Sequence, residues 1–122
     1  MQIFFAYKQI LNDDSLDEEQ TMVKPVIFYD FQINKFYALI LINSVNLKPV
    51  QWIVINKSAK YVGDEIMNYQ NLKKSNNYCA ILYLQRGYID NMELFIREKF
   101  DINYFAKTYD LLFLDMISFN IR

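Results

Sequence analysis

FYALILI (residues 36–42) and VQWIVI (residues 50–55) are the two apolar stretches whose reading decides the fold. Each is short and rich in Ile, Val, Leu and aromatic side chains, which suits a strand better than a helix. The link between them is polar and ends on Pro49, which opens the second strand at a position where a missing N–H is tolerated. Toward the N-terminus, VIFYDFQ (residues 26–32) is separated from FYALILI by Ile33, Asn34 and Lys35. Asn34 is a turn former, so a hairpin is expected there. QIFFAYK (residues 2–8) reads as a first strand. The polar stretch after it carries Ser15, Leu16, Asp17 and Glu18 in capping-box order, predicting a short helix that Pro25 stops.

Toward the C-terminus the period changes. Residues 63–74 begin with Asp64 and Glu65 and end with Lys73 and Lys74, an order that complements a helix dipole. Ile66, Tyr69 and Leu72 can share one helical face. YCAILYL (residues 78–84) is continuously apolar, the mark of a strand buried on both faces. Asp90 caps a second predicted helix, with Met92, Phe95, Ile96 and Phe100 as its core-facing stripe. Residues 101–106 form a short strand or an irregular approach. Ile117, Phe119 and Ile121 alternate with polar residues, so the chain ends in a strand. The expected order is β-α-β-β-β-α-β-α-(β)-β in a single domain spanning residues 1–122. That is an α+β (mixed α/β) fold in which antiparallel hairpins hand over to parallel crossovers.

Hydrophobic residues make up 53% of the chain and charged residues 22%, a globular balance rather than a disordered one. Cys79 stands alone, which excludes an internal disulfide framework and reads as a buried, inert thiol. The chain has no His, which excludes Ser–His–Asp and Cys–His chemistry and most catalytic zinc sites. No apolar run approaches the roughly 18 residues of a membrane span, and the start lacks a basic-then-apolar leader. A soluble cytoplasmic protein with no membrane partner is expected. Net charge is −1, yet five of the fourteen carboxylates cluster at Asp13, Asp14, Asp17, Glu18 and Glu19. That cluster reads as a solvated helix start or as a docking surface for a basic protein partner. It lacks the alternate spacing of a calcium loop, and no metal site is expected. Residues 49–88 are net positive with Tyr61, Tyr69 and Tyr78 interleaved, but their cations are widely spaced, which argues against nucleic acid.

The element order resembles the GNAT acyl-CoA N-acyltransferase superfamily. Two stretches add to the resemblance. In the family, an Arg/Gln-x-x-Gly-x-Gly/Ala loop opens a helix and cradles the cofactor's pyrophosphate on backbone N–H groups. Placing Gly63 at the last Gly/Ala puts Ser58 at the Arg/Gln and Tyr61 at the first Gly. Residues 90–102 resemble the family's closing helix, with Ile96, Glu98, Lys99 and Ile102 matching in kind. Arg97 stands where the pattern has its Tyr general acid, and Asp101 replaces a Gly. The resemblance implies a GNAT-like central mixed sheet of about six to seven strands with helices on both faces. It implies acetyl-CoA or another acyl-CoA as cofactor and an acyl-acceptor amine as substrate. The implied cofactor-binding residues are Ile53, Val54, Ile55, Lys60, Tyr61, Val62, Gly63 and Asp64. It also implies a splay between residues 52–55 and a parallel strand at 78–84. No catalytic residue is assigned; Glu65 and Asp90 are the candidate bases. The β-carbon at Tyr61, the carboxylate at Asp64 and the missing Tyr all work against that chemistry.

Two functional expectations follow. One is a small divergent acyl-CoA-dependent N-acyltransferase. The other is a non-catalytic protein-binding module, such as a toxin immunity protein or a phage-type inhibitor, using the acidic surface. Trp52 and the ten Tyr leave a homodimer open to either.

Overall fold

Alternation within the apolar strands builds two cores back to back. In the computed structural model, which describes Met1–Arg122 throughout, β5 (Tyr37–Asn43) sends Tyr37, Leu39 and Leu41 to one core and Ala38, Ile40 and Ile42 to the other. β8 (Asn76–Leu84) does the same with Tyr78, Ala80 and Leu82 against Cys79, Ile81 and Tyr83. A strand buried on both faces needs apolar residues at consecutive positions, and these runs supply them. Each fully buried Leu or Ile contributes roughly 1.5–3 kcal/mol of transfer free energy.

The remaining strands are β1 (Gln2–Phe5), β2 (Lys8–Ile10), β3 (Asp14–Leu16), β4 (Val26–Phe28), β6 (Val50–Lys57), β7 (Asp64–Met67) and β9 (Leu112–Ile121). They form a six-stranded sheet in the order β3-β9-β8-β5-β6-β7 and a three-stranded sheet in the order β2-β1-β4. All pairs are antiparallel except β3 with β9, so the strand nearest the C-terminus lies inside the large sheet. The small sheet covers one face of the large one, through Ile3, Phe5, Ile10 and Ile27. The other face is covered by residues 85–111. This arm includes a 3-10 turn at Arg97–Lys99 and the single α-helix, α1 (Ile102–Thr108).

The fold is therefore mainly β, not α+β with helices on both faces, and the GNAT-like mixed sheet is not present. The helix expected over residues 63–74 is β7 followed by irregular chain. Ile66 packs on the second core while Tyr69 and Leu72 pack on the first, so the spacing was that of a chain crossing between layers. The helix expected after Asp90 is an irregular arm. Met92, Phe95 and Phe100 do pack on the second core, whereas Ile96 is exposed. The arm is held by Arg97, whose guanidinium donates to the carbonyls of Val50 (3.0 Å), Gln51 (2.8 Å) and Asn68 (2.7 Å). Helix α1 lies instead where a strand or irregular chain was expected. Asp101 caps it by accepting from the N–H groups of Asn103 (3.0 Å) and Tyr104 (3.1 Å). The predicted hairpin at Asn34 does not pair: β4 belongs to the small sheet and β5 to the large one.

Candidate functional site

Of the residues expected to hold a cofactor, Lys60, Tyr61, Val62 and Gly63 lie in the sharp loop between β6 and β7, and Asp64 opens β7. Ser58 Oγ accepts from the N–H groups of Lys60 (3.3 Å) and Tyr61 (3.1 Å), so those two donors are turned inward on the loop itself. Gly63 follows at φ +98°. A β-carbon there would lie 2.6 Å from Val54 Cγ1 and 2.8 Å from the Ile55 carbonyl oxygen. Glycine is required by packing against β6, and β7, not a helix, comes next. Asp64 accepts from the Tyr61 hydroxyl and from Asn56 Nδ2 (3.0 Å), and these bonds hold its carboxyl below the usual range. Lys60, Tyr61 and Val62 are exposed on the loop.

Ile53, Val54 and Ile55 are buried in β6, with side chains divided between the two cores. Their strand pairs with β5 on one side and β7 on the other. The expected splay beside residues 78–84 is absent, because β5 lies between β6 and β8 and the pairing is antiparallel. Of the two candidate bases, Glu65 accepts from Lys24 Nζ (2.9 Å), which does most to hold its carboxyl low, and from Trp52 Nε1 (2.6 Å), which adds to it. Asp90 is exposed on the arm.

The acidic cluster is dispersed among structural tasks. Asp14 accepts from the Leu11 N–H (2.8 Å). Asp17 pairs with Arg122 (3.0 Å), while its own N–H donates to Gln20 Oε1 (2.8 Å). Glu18 accepts from the Lys74 N–H (2.7 Å). Asp13 and Glu19 remain exposed without such bonds, and Glu19 borders a groove that the sequence reading missed.

That groove, of about 710 Å³, runs over the outer face of the small sheet. Its floor is Phe4, Val26 and Phe28, and Phe4 meets Phe28 edge-on at 5.6 Å. The β1–β4 register places Phe4 opposite Val26, so these side chains share the outward face while Ile3, Phe5 and Ile27 point inward. One wall is the 3-10 turn Glu18–Thr21 and the chain after it, with Val23 76% exposed. This wall is fixed to the large sheet, because the Tyr69 hydroxyl donates to the Thr21 carbonyl and Tyr69 stands edge-on to Trp52. At the groove's end the β1–β2 turn holds Ala6 (φ +48°) and Tyr7 (φ +68°), with Tyr7 102% exposed. A signal was present in the sequence. IFF (residues 3–5) and VIF (residues 26–28) are apolar at consecutive positions, which calls for cover on both faces, and only one face is covered.

A second concavity opens between the layers, where the β6–β7 loop faces β4. It has two lobes, of about 350 and 260 Å³, which share Ile27, Lys57 and Val62. No cluster of His, Cys, Asp or Glu in the chain could hold a metal ion. No helix is long and apolar enough to cross a membrane. Compared with known proteins, the chain matches no family model and no curated relative.

Proposed function

We propose that this chain is a protein-binding module and that the outer face of its small sheet is the recognition surface. The observation that carries this reading is the uncovered apolar floor of Phe4, Val26 and Phe28, continuous with the exposed Val23 and Tyr7. Monomeric proteins rarely leave so contiguous an apolar patch open without a use for it. Aromatic side chains on a rigid support are also the usual energetic anchors of an interface. Of the two charged residues at the rim, Lys24 is paired with Glu65 (2.9 Å) while Glu19 takes part in no ion pair, which favours a partner that carries a basic residue beside an apolar segment. Under this reading the chain acts as an immunity protein or inhibitor would, by occupying a partner's surface.

A photoreactive phenylalanine analogue at position 7 tests it in cells. The expected result is one discrete protein adduct that weakens at high salt and is lost with Phe4→Asp or Phe28→Asp. The same analogue at Leu94, 99% exposed on the arm, should not give it. Absence of a position-7 adduct, or one indifferent to both substitutions in a folded protein, overturns the proposal. An adduct of twice the chain's mass replaces the basic partner with a second copy.

A further inference from the structure

The concavity between the layers is chemically unlike the outer groove. Trp52 and Val54 of the large sheet line its larger lobe, and Tyr29 and Phe31 line the smaller. Three cations border it: Lys24, Lys57 and Lys60. Lys57 stands where the two lobes meet. Its side chain is half-buried, its ammonium lies 5.0 Å from the centroid of the Phe31 ring, and it takes part in none of the ion pairs. The nearby carboxylates are committed elsewhere: Glu65 to Lys24 and Trp52, Asp64 to Tyr61 and Asn56.

A half-buried ammonium without an anion has lost water without gaining a partner. Burial correspondingly pushes the Lys57 amine below its ordinary range. The face of Phe31 offsets part of that loss, because a ring face attracts a cation. An incoming oxyanion would complete it with a charge-assisted hydrogen bond, while the lobes accept an apolar body. We propose that this inter-sheet cleft binds a small amphiphilic anion, a carboxylate or phosphate on an apolar body, with Lys57 as its charge partner and the lobe beside Trp52 as the seat of its apolar part. The cleft shares Lys24, Val26 and Phe28 with the outer groove, but Leu39, Trp52, Val54 and Lys57 border the cleft alone, and Phe4 and Tyr7 border the outer groove alone.

Trp52 is the only tryptophan, so its fluorescence reports the larger lobe directly. Octanoate, octyl phosphate and 1-octanol are titrated against the full chain. The two anions are expected to shift Trp52 emission at concentrations at least about tenfold below 1-octanol, the signature of a partly buried ion pair. Octanoate against octyl phosphate tells which headgroup is preferred. Lys57→Met should erase the advantage of the anions, Lys57→Arg should keep it, and Phe4→Asp should leave it unchanged. The proposal is overturned if 1-octanol binds as tightly as the anions, if Lys57→Met keeps the preference, or if no anion alters Trp52 emission at millimolar concentration. Should Lys57→Met fail to fold, the anion-to-alcohol ratio in the native protein and in Lys57→Arg decides the question. Failure here leaves the crosslink at position 7 untouched, and the reverse also holds.

Discussion

Gly63→Ala is the most informative single perturbation. At φ +98° an L-residue is strained, which costs roughly 1–3 kcal/mol. The new methyl would also sit 2.6 Å from Val54 Cγ1 and 2.8 Å from a backbone oxygen, and such overpacking costs roughly a further 1–3 kcal/mol. Together the loss is roughly 2–6 kcal/mol from a total stability of about 5–15 kcal/mol. Urea unfolding followed by far-ultraviolet dichroism should show the midpoint falling by about 1–3 M, using a slope of about 2 kcal/mol per M. Val54→Ala removes one contact but not the oxygen of Ile55. The double variant should therefore show a favourable coupling of about 1 kcal/mol and yet remain below Val54→Ala alone. A midpoint for Gly63→Ala within about 0.3 M of the parent would refute the steric argument, and with it the statement that packing demands this glycine.

Other outcomes follow from buried groups. Asn56→Ala should cost about 2–4 kcal/mol, because Asn56 Oδ1 accepts from Gln85 Nε2 and the Ile89 N–H (both 2.9 Å) in a buried network; thermal unfolding measures it. Arg97→Met should cost about 1.5–3 kcal/mol and raise amide exchange across residues 85–100, since three carbonyls each lose a donor, the Gln51 carbonyl keeping only the Gln70 N–H. Removing the exposed Arg86–Asp110 pair with Asp110→Asn should change the urea midpoint by less than about 0.5 kcal/mol equivalent. Burial pushes the Cys79 thiol up to about 11 from 9.0, and Tyr78 and Tyr83 are raised for the same reason. Their stability contribution is complete below the unfolded-state values and is lost as pH rises through the folded ones. The thermal midpoint should decline from about pH 9 upward, and Cys79→Ala should soften that decline between pH 9 and 11.

The strands at the centre of the large sheet were legible because burial on both faces leaves a local mark: consecutive Ile, Leu, Val and aromatic residues in β5, β6 and β8. The helices were not legible, because helical spacing is also produced by chain that moves between layers. Ile66, Tyr69 and Leu72 lie three apart and yet serve two different cores. The acid-to-base order from Asp64 to Lys74 strengthened the error, since Glu65 and Asp64 are placed by Trp52 and Asn56 rather than by a helix dipole. Asp101 followed by Ile102 and Phe105 was a helix start in plain view, obscured by the competing stripe that ends at Phe100. With the helices went the parallel crossovers and the resemblance built on them. Of the loop residues singled out in the sequence, Lys60, Tyr61, Val62 and Gly63 line the inter-sheet cleft and Asp64 does not, while Lys57 carries no local mark because Phe31 is brought over it only by tertiary structure.

Because β9 is an interior strand, the order of synthesis matters to this chain. Residues 14–16 emerge early, yet their neighbours in the sheet are residues 119–121, and β8 too waits for β9 along its whole length. A nascent chain that stalls before residue 112 presents β8, apolar on both faces, as an open edge, the surface most prone to pair with another copy. Sequence-distant pairing of this kind also slows folding. The last ten residues of sheet therefore set when the nascent chain can close, and shortening them should redirect product from the soluble fraction into aggregates rather than yield a smaller folded domain.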